Sequence, residues 1–563
     1  MKKFKSYILV AMMGLSVTSC KDFLTLMPLN EVVLENFYTN EGDVESVLRG
    51  AYGALEASDC IVRMSAWGEM RSDNIVPGNE DSSSSDDDLT QFISENINSQ
   101  NSLTTYLCFY KAINYASTVL HYAPEVHQKD PNYHGSEMKA HEAEAIAIRS
   151  LCYWYLIRAF GDVPYTTRPS IDDTYDFFIG KTPFNDVLDS LINDVARVKD
   201  YAMVHYSSDL SKLANTARFS RAAVYAMLAD MYLWKGNWEE CIKCCEYITK
   251  LKVEDYKTIK EEKGLDCTIE LMFDKYPLIT ETFSGDKCGN AYNEIFGAGN
   301  SFESLFELPF TRDFSDGFVS KYYNSSNSST GNLKASSKIS RDKSSNDPLF
   351  TELDARYYQN ISPDKSYGIV KYVYEKMDYN MKLGTQDKTG DRRQNNANDA
   401  SWIVYRYTDV LLMEAEAKTM LARDINNADS VTLLLQEAFE LVDAVNRRGI
   451  CQSRYGSPTL SFNDYNTVSK MEKLVFDERR RELMFEGKRW FDLVRQALRE
   501  GSAEKVLDAV KDRPLSTNTS AVAAKFSSLN GLFLPYNKDE IKINDNLKQN
   551  PAYADTERSK KAK

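Results

Sequence analysis

Apolar side chains recur at three- and four-residue steps through several long stretches of the chain, the spacing of helices that bury one face. From Glu142 to Phe160 the positions are Ala145, Ile148, Cys152, Tyr155 and Ala159. Phe184 to Val198, Tyr407 to Leu421 and Val431 to Val445 repeat the pattern, and a further helix is predicted around Tyr106 to Leu120. Between these blocks, from Leu251 to Ser401, the period fades and Gly, Ser, Asn, Asp and Tyr dominate. There Asn324 to Ser345 reads as long loops and the alternation from Tyr367 to Tyr374 as a strand. The expected fold is mainly α: helical pairs packed against a loop-rich, irregular region with a few short strands. Long loops on a rigid helical scaffold are where binding surfaces usually sit.

One helical pair is marked in detail. Leu228-Ala229, Tyr232, Gly236, Trp238, Cys241 and Cys245 follow the tetratricopeptide spacing, with an aromatic on the first helix, glycine at the turn and small residues every four along the second. Cysteine serves at such positions as a small hydrophobe that lets two helices approach. That accounts for the trio Cys241, Cys244 and Cys245, which otherwise suggests a metal site. Structural zinc needs four ligands, usually from two paired clusters, and the sequence holds neither a second CxxC nor an HExxH. The acidic run Asp81 to Asp88 lacks the alternation, the sixth-position glycine and the closing glutamate of an EF-hand, so it reads as a solvated loop. No metal and no cofactor is expected.

The first twenty residues assign a location. Lys2, Lys3 and Lys5 precede a short apolar run, Tyr7 to Leu15, too short to span a bilayer. Val17-Thr18-Ser19-Cys20 then closes the segment with small residues before a cysteine, the form of a lipoprotein signal whose cysteine is acylated. Several acyl chains on one residue anchor a protein stably where one chain does not. The formal charge of −14 over 563 residues becomes more negative once the three lysines are removed. Nucleic acid is therefore an unsuitable partner, and anionic lipid would be repelled by the protein surface.

Near the C-terminus, Phe476 to Arg495 reads as one charged helix, with Phe476, Leu483 and Trp490 seven apart on an apolar face. Glu478, Arg481 and Glu482 flank that face. Two carboxylates and an arginine could form an acid–base site, but a glycosidase pair needs a set separation across a cleft. A partly buried structural ion-pair network is the expected arrangement.

This string, Glu478-Arg479-Arg480-Arg481-Glu482-Leu483 followed by Phe485-Glu486-Gly487 and Arg489-Trp490-Phe491-Asp492-Leu493, resembles the signature of the SusD/RagB family of surface lipoproteins. Trp402 to Ala417, Asn446 to Gly449, Arg149 to Pro164, Asn546 to Tyr553 and the start Cys20 to Leu24 resemble further family strings. One departure is local: Phe533-Leu534-Pro535-Tyr536 stands where the family usually has two prolines close together.

The resemblance implies a non-catalytic protein that binds glycans, or in some branches peptides, at the cell outer membrane. It also implies delivery to a TonB-dependent transporter of the SusC type, the expected partner. The sequence has no nucleophile elbow, P-loop or dinucleotide fingerprint. A secreted glycan hydrolase, or a structural repeat protein bridging surface components, remains the alternative class. The implied organisation is a signal over 1–19, an N-terminal region with helical-repeat pairs over 20–250, a loop-rich ligand-binding region over 251–401, a C-terminal helical part over 402–553 and a charged tail over 554–563. Sugars need aromatic faces for C–H surfaces and polar groups for hydroxyls. Trp67, with Asp73 and Asn74 at a helix-to-loop change, is the leading ligand candidate, unless Trp67 closes the core beneath the loop. Tyr292 and Asn293 in the loop-rich middle are the second choice. Trp234, Trp238, Trp402 and Trp490 are expected to be structural.

Cell fractionation tests the anchor. Cys20→Ala protein is expected to leave the membrane fraction while keeping its fold; retention there in cells lacking the transporter contradicts the acylation reading.

Overall fold

The computed structural model describes residues 37–554 apart from 79–87, 285–286, 312, 315–316, 324–330, 340–347, 352, 363–365, 381–384, 387–390, 394–398, 451–458, 512 and 514–518. The signal segment, Cys20, the acidic run at 81–87, the 555–563 tail and most of 324–345 lie outside the described residues.

Helices form the frame: α1 (Glu41–Leu55), α2 (Leu107–Lys129), α3 (Gly135–Phe160), α4 (Phe184–Val198), α5 (Arg221–Lys235) and α6 (Trp238–Lys263) in the first half. α7 (Tyr407–Asp424), α8 (Ala428–Gly449), α9 (Val468–Leu483) and α10 (Arg489–Glu500) follow in the second. Sequence neighbours pack as pairs: α2 on α1 and α3, α3 on α4, α5 on α6, α7 on α8. α6 also packs on α7, which carries the stack from the first half of the chain into the second. The helix α4 begins and ends where its apolar spacing predicts, burying Val187, Leu188, Leu191, Ile192, Val195 and Val198.

Between α5 and α6 the chain turns at Gly236, whose φ of 80° only glycine adopts without strain, and Asn237 then caps α6 by accepting from the Glu240 amide. Cys241, Cys244 and Cys245 are buried on the α6 face. The central helix α3 is buried on almost every side from Ala143 onward, as expected of a helix inside a core. Of its two buried arginines, Arg158 lies 3.3 Å from Asp230 and 4.2 Å from the centre of the Phe491 ring. Trp154 donates its indole N–H to the same Asp230 at 2.9 Å.

Short antiparallel pairs stand beside the helices: β1 (Ile75–Pro77) with β3 (Leu333–Ala335), and β2 (Ser304–Leu308) with β4 (Trp402–Arg406). Both strands of the second pair are buried along their whole length. β4 runs straight into α7, so Arg406 at its last position enters the core beside Glu303, the residue before β2.

Two local expectations are corrected. Tyr367 to Tyr374 is not a strand: Tyr367 and Tyr372 have φ of 56° and 66°, and left-handed residues break the alternation. Only single bridges at Gly368 and Ile369 remain, with a short strand beginning at Tyr374. Phe476 to Arg495 is not one helix either. α9 ends at Leu483 and α10 begins at Arg489, because Phe485 and Gly487 take φ of 66° and 72°. This turn nests on the π-helical turn Ala66–Met70, where a Cβ added to Gly68 would sit 1.9 Å from the Gly487 carbonyl oxygen.

That contact has a measurable consequence. Gly68→Ala must push two backbones apart and is expected to cost about 1–3 kcal/mol in denaturant titration. Gly53→Ala, in the exposed part of α1 with nothing within 4 Å of the added carbon, is expected to stabilise by about 0.5–1 kcal/mol.

Candidate functional site

The charged segment builds inward from α9. Glu478 and Glu482, one turn apart, face the ends of α8 and β4 and the helix Ala355–Asn360. Glu482 accepts from Arg406 at 2.8 Å and from Arg356 at 3.1 Å, and from Arg448 as well. Glu478 accepts from Arg356 at 2.6 Å, from Arg481 at 2.7 and 2.9 Å, and from Asn446 at 3.2 Å. In the turn after α9, Glu486 takes both Nε and Nη2 of Arg406, at 2.8 and 2.9 Å, and the buried Lys371 ammonium. Arg448 closes the cluster by donating to Glu303.

Burial alone would raise the Glu482 carboxyl, but the guanidinium groups of Arg448, Arg406 and Arg356 outweigh it and hold the group well below the usual carboxylate range. Glu478 is lowered for the same reason by Arg356 and Arg481. Both Glu478 oxygens are engaged, and the group is fully buried. An ionised carboxylate held this way is a poor general acid. Among the carboxyls that burial pushes up, Glu69, Glu307 and Glu414 reach about 7 and Glu281 about 8, and all four are enclosed too.

The segment expected to meet ligand instead clamps the signature turn. Trp67 is 1% exposed, stacks on Phe109 with centroids 5.0 Å apart and donates to the Leu103 carbonyl at 2.8 Å. Its faces are covered by protein, so the core-closing alternative describes it. Asp73 takes Arg489 at 2.9 Å and Arg480 at 3.0 Å. Asn74 donates to Glu69 at 2.9 Å and accepts from Arg480 at 2.8 Å. Arg71, paired with Glu95 at 2.8 Å, lies 4.1 Å from the Trp490 ring centre.

The second choice, Tyr292 and Asn293, is likewise engaged within the protein. Tyr292 is fully buried; its hydroxyl donates to the Val370 carbonyl and accepts from the Tyr374 amide. Asn293 pairs with both backbone groups of Met377. The polar atoms of these five residues hold loops together, which leaves them poorly placed to meet a sugar.

Open cavities lie elsewhere. A cavity of about 410 Å³ is framed by the last turns of α6, the loop 204–216 and the segment 294–302. Leu251, Ile259 and Phe302 supply apolar wall; Asp209, Glu262 and Glu294 supply carboxylates. Within it, Asp255 takes His205 at 3.0 Å, and Lys252 donates to the Phe302 carbonyl at 2.7 Å. Asn300 ties the two loops, donating to the Ser211 carbonyl and accepting from Thr216, both at 2.6 Å. No sequence motif marks it, since the walls come from three distant segments. Arg406 and Arg448 stood within strings already quoted from the sequence, whereas Arg356 and Lys371 lie in the irregular middle, where no period signals burial.

Residues 316–553 match the SusD family, and residues 22–233 match a family described as starch-binding, associating with the outer membrane. The chain belongs to the SusD-like family. A SusD-like protein of Formosa agariphila is 24% identical over 535 residues, covering 88% of this chain and 92% of its own. A SusD superfamily structure from Bacteroides thetaiotaomicron covers 92% of this chain and 99% of its own, at TM-score 0.62 and 20% identity. A laminarin-binding SusD-like protein covers 92% and 100% at TM-score 0.61 and 21% identity. The helical pairs and few short strands are thus the fold of this family.

Glu482→Ala leaves Arg448 and Arg406 buried beside an empty acceptor site, a loss of about 3–5 kcal/mol. A lower melting temperature with unchanged ligand affinity of the folded fraction is the expected result. Because the folded carboxyl is held below its unfolded value, its contribution is present above the ordinary carboxylate range and fades as pH falls through the folded value. The melting-temperature gap between the two proteins should therefore narrow progressively as pH falls below the ordinary carboxylate range.

Proposed function

We propose that this protein is a non-catalytic glycan-binding lipoprotein, anchored through Cys20 at the outer-membrane surface, that delivers glycans to a SusC-like TonB-dependent transporter. The observation that carries the reading is the match of residues 22–233 to the starch-binding, outer-membrane-associated family. The fold shared with a laminarin-binding protein supports it. The region 251–401 supplies much of the binding surface in this reading, because two of the cavity's three walls, the last turns of α6 from Leu251 to Lys263 and the segment 294–302, fall within it. Glu478 and Glu482, saturated with arginine, favour binding over hydrolysis.

Calorimetry of the chain lacking residues 1–19, against a panel of neutral and anionic polysaccharides and oligopeptides, tests this. Saturable binding to a glycan without release of shorter products is expected. Binding confined to oligopeptides transfers the protein to the peptide-binding branch. Cleavage that disappears in a folded Glu478→Gln or Glu482→Gln variant makes it a hydrolase.

A further inference from the structure

We propose that the cavity between α6 and the loops 204–216 and 294–302 is a binding site for neutral oligosaccharides that discriminates against anionic ones. The inference rests on the glycan-binding reading and adds to it a place and a charge class. The volume of about 410 Å³ falls within the roughly 300–1,000 Å³ of small-molecule sites. Exposed Asp209, Glu262 and Ala298 at its edge open it to solvent.

Its shape is set before any ligand arrives. Asn300 is held on three sides: its side chain bridges the Ser211 carbonyl and the Thr216 hydroxyl, and its amide donates to Glu307. Glu307 is fully buried and also accepts from Ser304 at 3.1 Å. A preformed loop loses little entropy on binding. The floor therefore needs no rearrangement to receive a ring.

Chemistry then selects the occupant. Leu251, Ile259 and the Phe302 ring suit the C–H face of a sugar, and carboxylates accept strong hydrogen bonds from hydroxyls. The cavity's basic side chains are largely committed inside the protein: His205 to Asp255, and Lys252 to the Phe302 carbonyl with Asp255 at 3.9 Å. Asp209 is paired with Lys212 at 3.3 Å and accepts from Ser211, so Glu262 and Glu294 are the carboxylates that stand against Lys263. A uronate or sulfate group brought here meets like charge, within a chain already at −14. A hydroxyl meets acceptors.

The test uses the chain lacking residues 1–19, with neutral oligosaccharides from starch, laminarin, xylan and mannan and with oligogalacturonate of matched length. At least one neutral oligomer is expected to bind at least tenfold more tightly than oligogalacturonate. Ala298→Trp, a plug at an exposed edge position, should weaken the neutral oligomer at least tenfold at unchanged melting temperature. The double variant Glu262→Lys, Glu294→Lys should gain at least tenfold for oligogalacturonate, and it serves as the independent arm if the plug disturbs folding. Neutral binding untouched by the folded plug, with no gain in the double variant, overturns the site while leaving the glycan-binding reading standing. Tighter oligogalacturonate binding by the unaltered chain overturns the charge class. Absence of binding to every oligomer overturns the inference, and the panel of polysaccharides then decides the broader reading on its own.

Discussion

Burial of the Glu478–Glu482–Glu486 edge of α9 is the constraint around which the rest is arranged. Each carboxylate taken out of water costs several kcal/mol, and Coulomb attraction repays it only when partners stand at hydrogen-bond distance. Those partners arrive from far apart in sequence: Arg356 from the middle, Arg406 from the last position of β4 and Arg448 from the end of α8. A shift of β4 by one residue would turn Arg406 to the other face of its strand pair and leave Glu482 and Glu486 short of a cation. The cluster thus fixes register more than it adds stability. It makes wrong packings expensive.

A second clamp joins the two ends of the chain to that cluster. The turn at Phe485 to Gly487 brings Gly487 against Gly68, and Asp73 holds Arg480 and Arg489 on either side of it. Glu69, beneath, faces the first amides of α10 at 3.3 and 3.4 Å. Two glycines are needed because two backbones touch there, and no side chain fits between them. The charged string at 478–493 is dense in arginine and glutamate because one short segment must satisfy partners from both halves of the fold.

How much of this was legible in the sequence follows from the range of each interaction. The helices α4 and α7 could be read because their apolar spacing is a local property, repeated over four turns. Gly236 was equally plain, since a left-handed helix end acts within a few residues. The break at Phe485 and Gly487 was hidden because the seven-residue spacing of Phe476, Leu483 and Trp490 continues across it. All three are buried, yet they belong to two helices. Trp67, Asp73 and Asn74 resembled a ligand site for a related reason. Aromatic, acidic and amide side chains at a helix end have the composition of a binding loop, and only the distant Arg480 and Arg489 show that their valences are already taken.

The same logic locates function away from the signature. In a fold whose strongest polar groups are consumed in holding register, recognition must use groups the register does not require. Glu262 lies on the last turn of a long helix and Glu294 on the turn Asn293–Ala298, both outside the arginine–glutamate core. Lys252 fixes Phe302 through its backbone carbonyl and lies 4.8 Å from the centre of its ring, which holds that wall in place. Ligand choice can then change by altering loop residues over a constant frame, while the arginine–glutamate core stays as it is. Scaffold strings and ligand specificity become independent, so the first can be read from sequence while the second has to be read from the walls of the cavity.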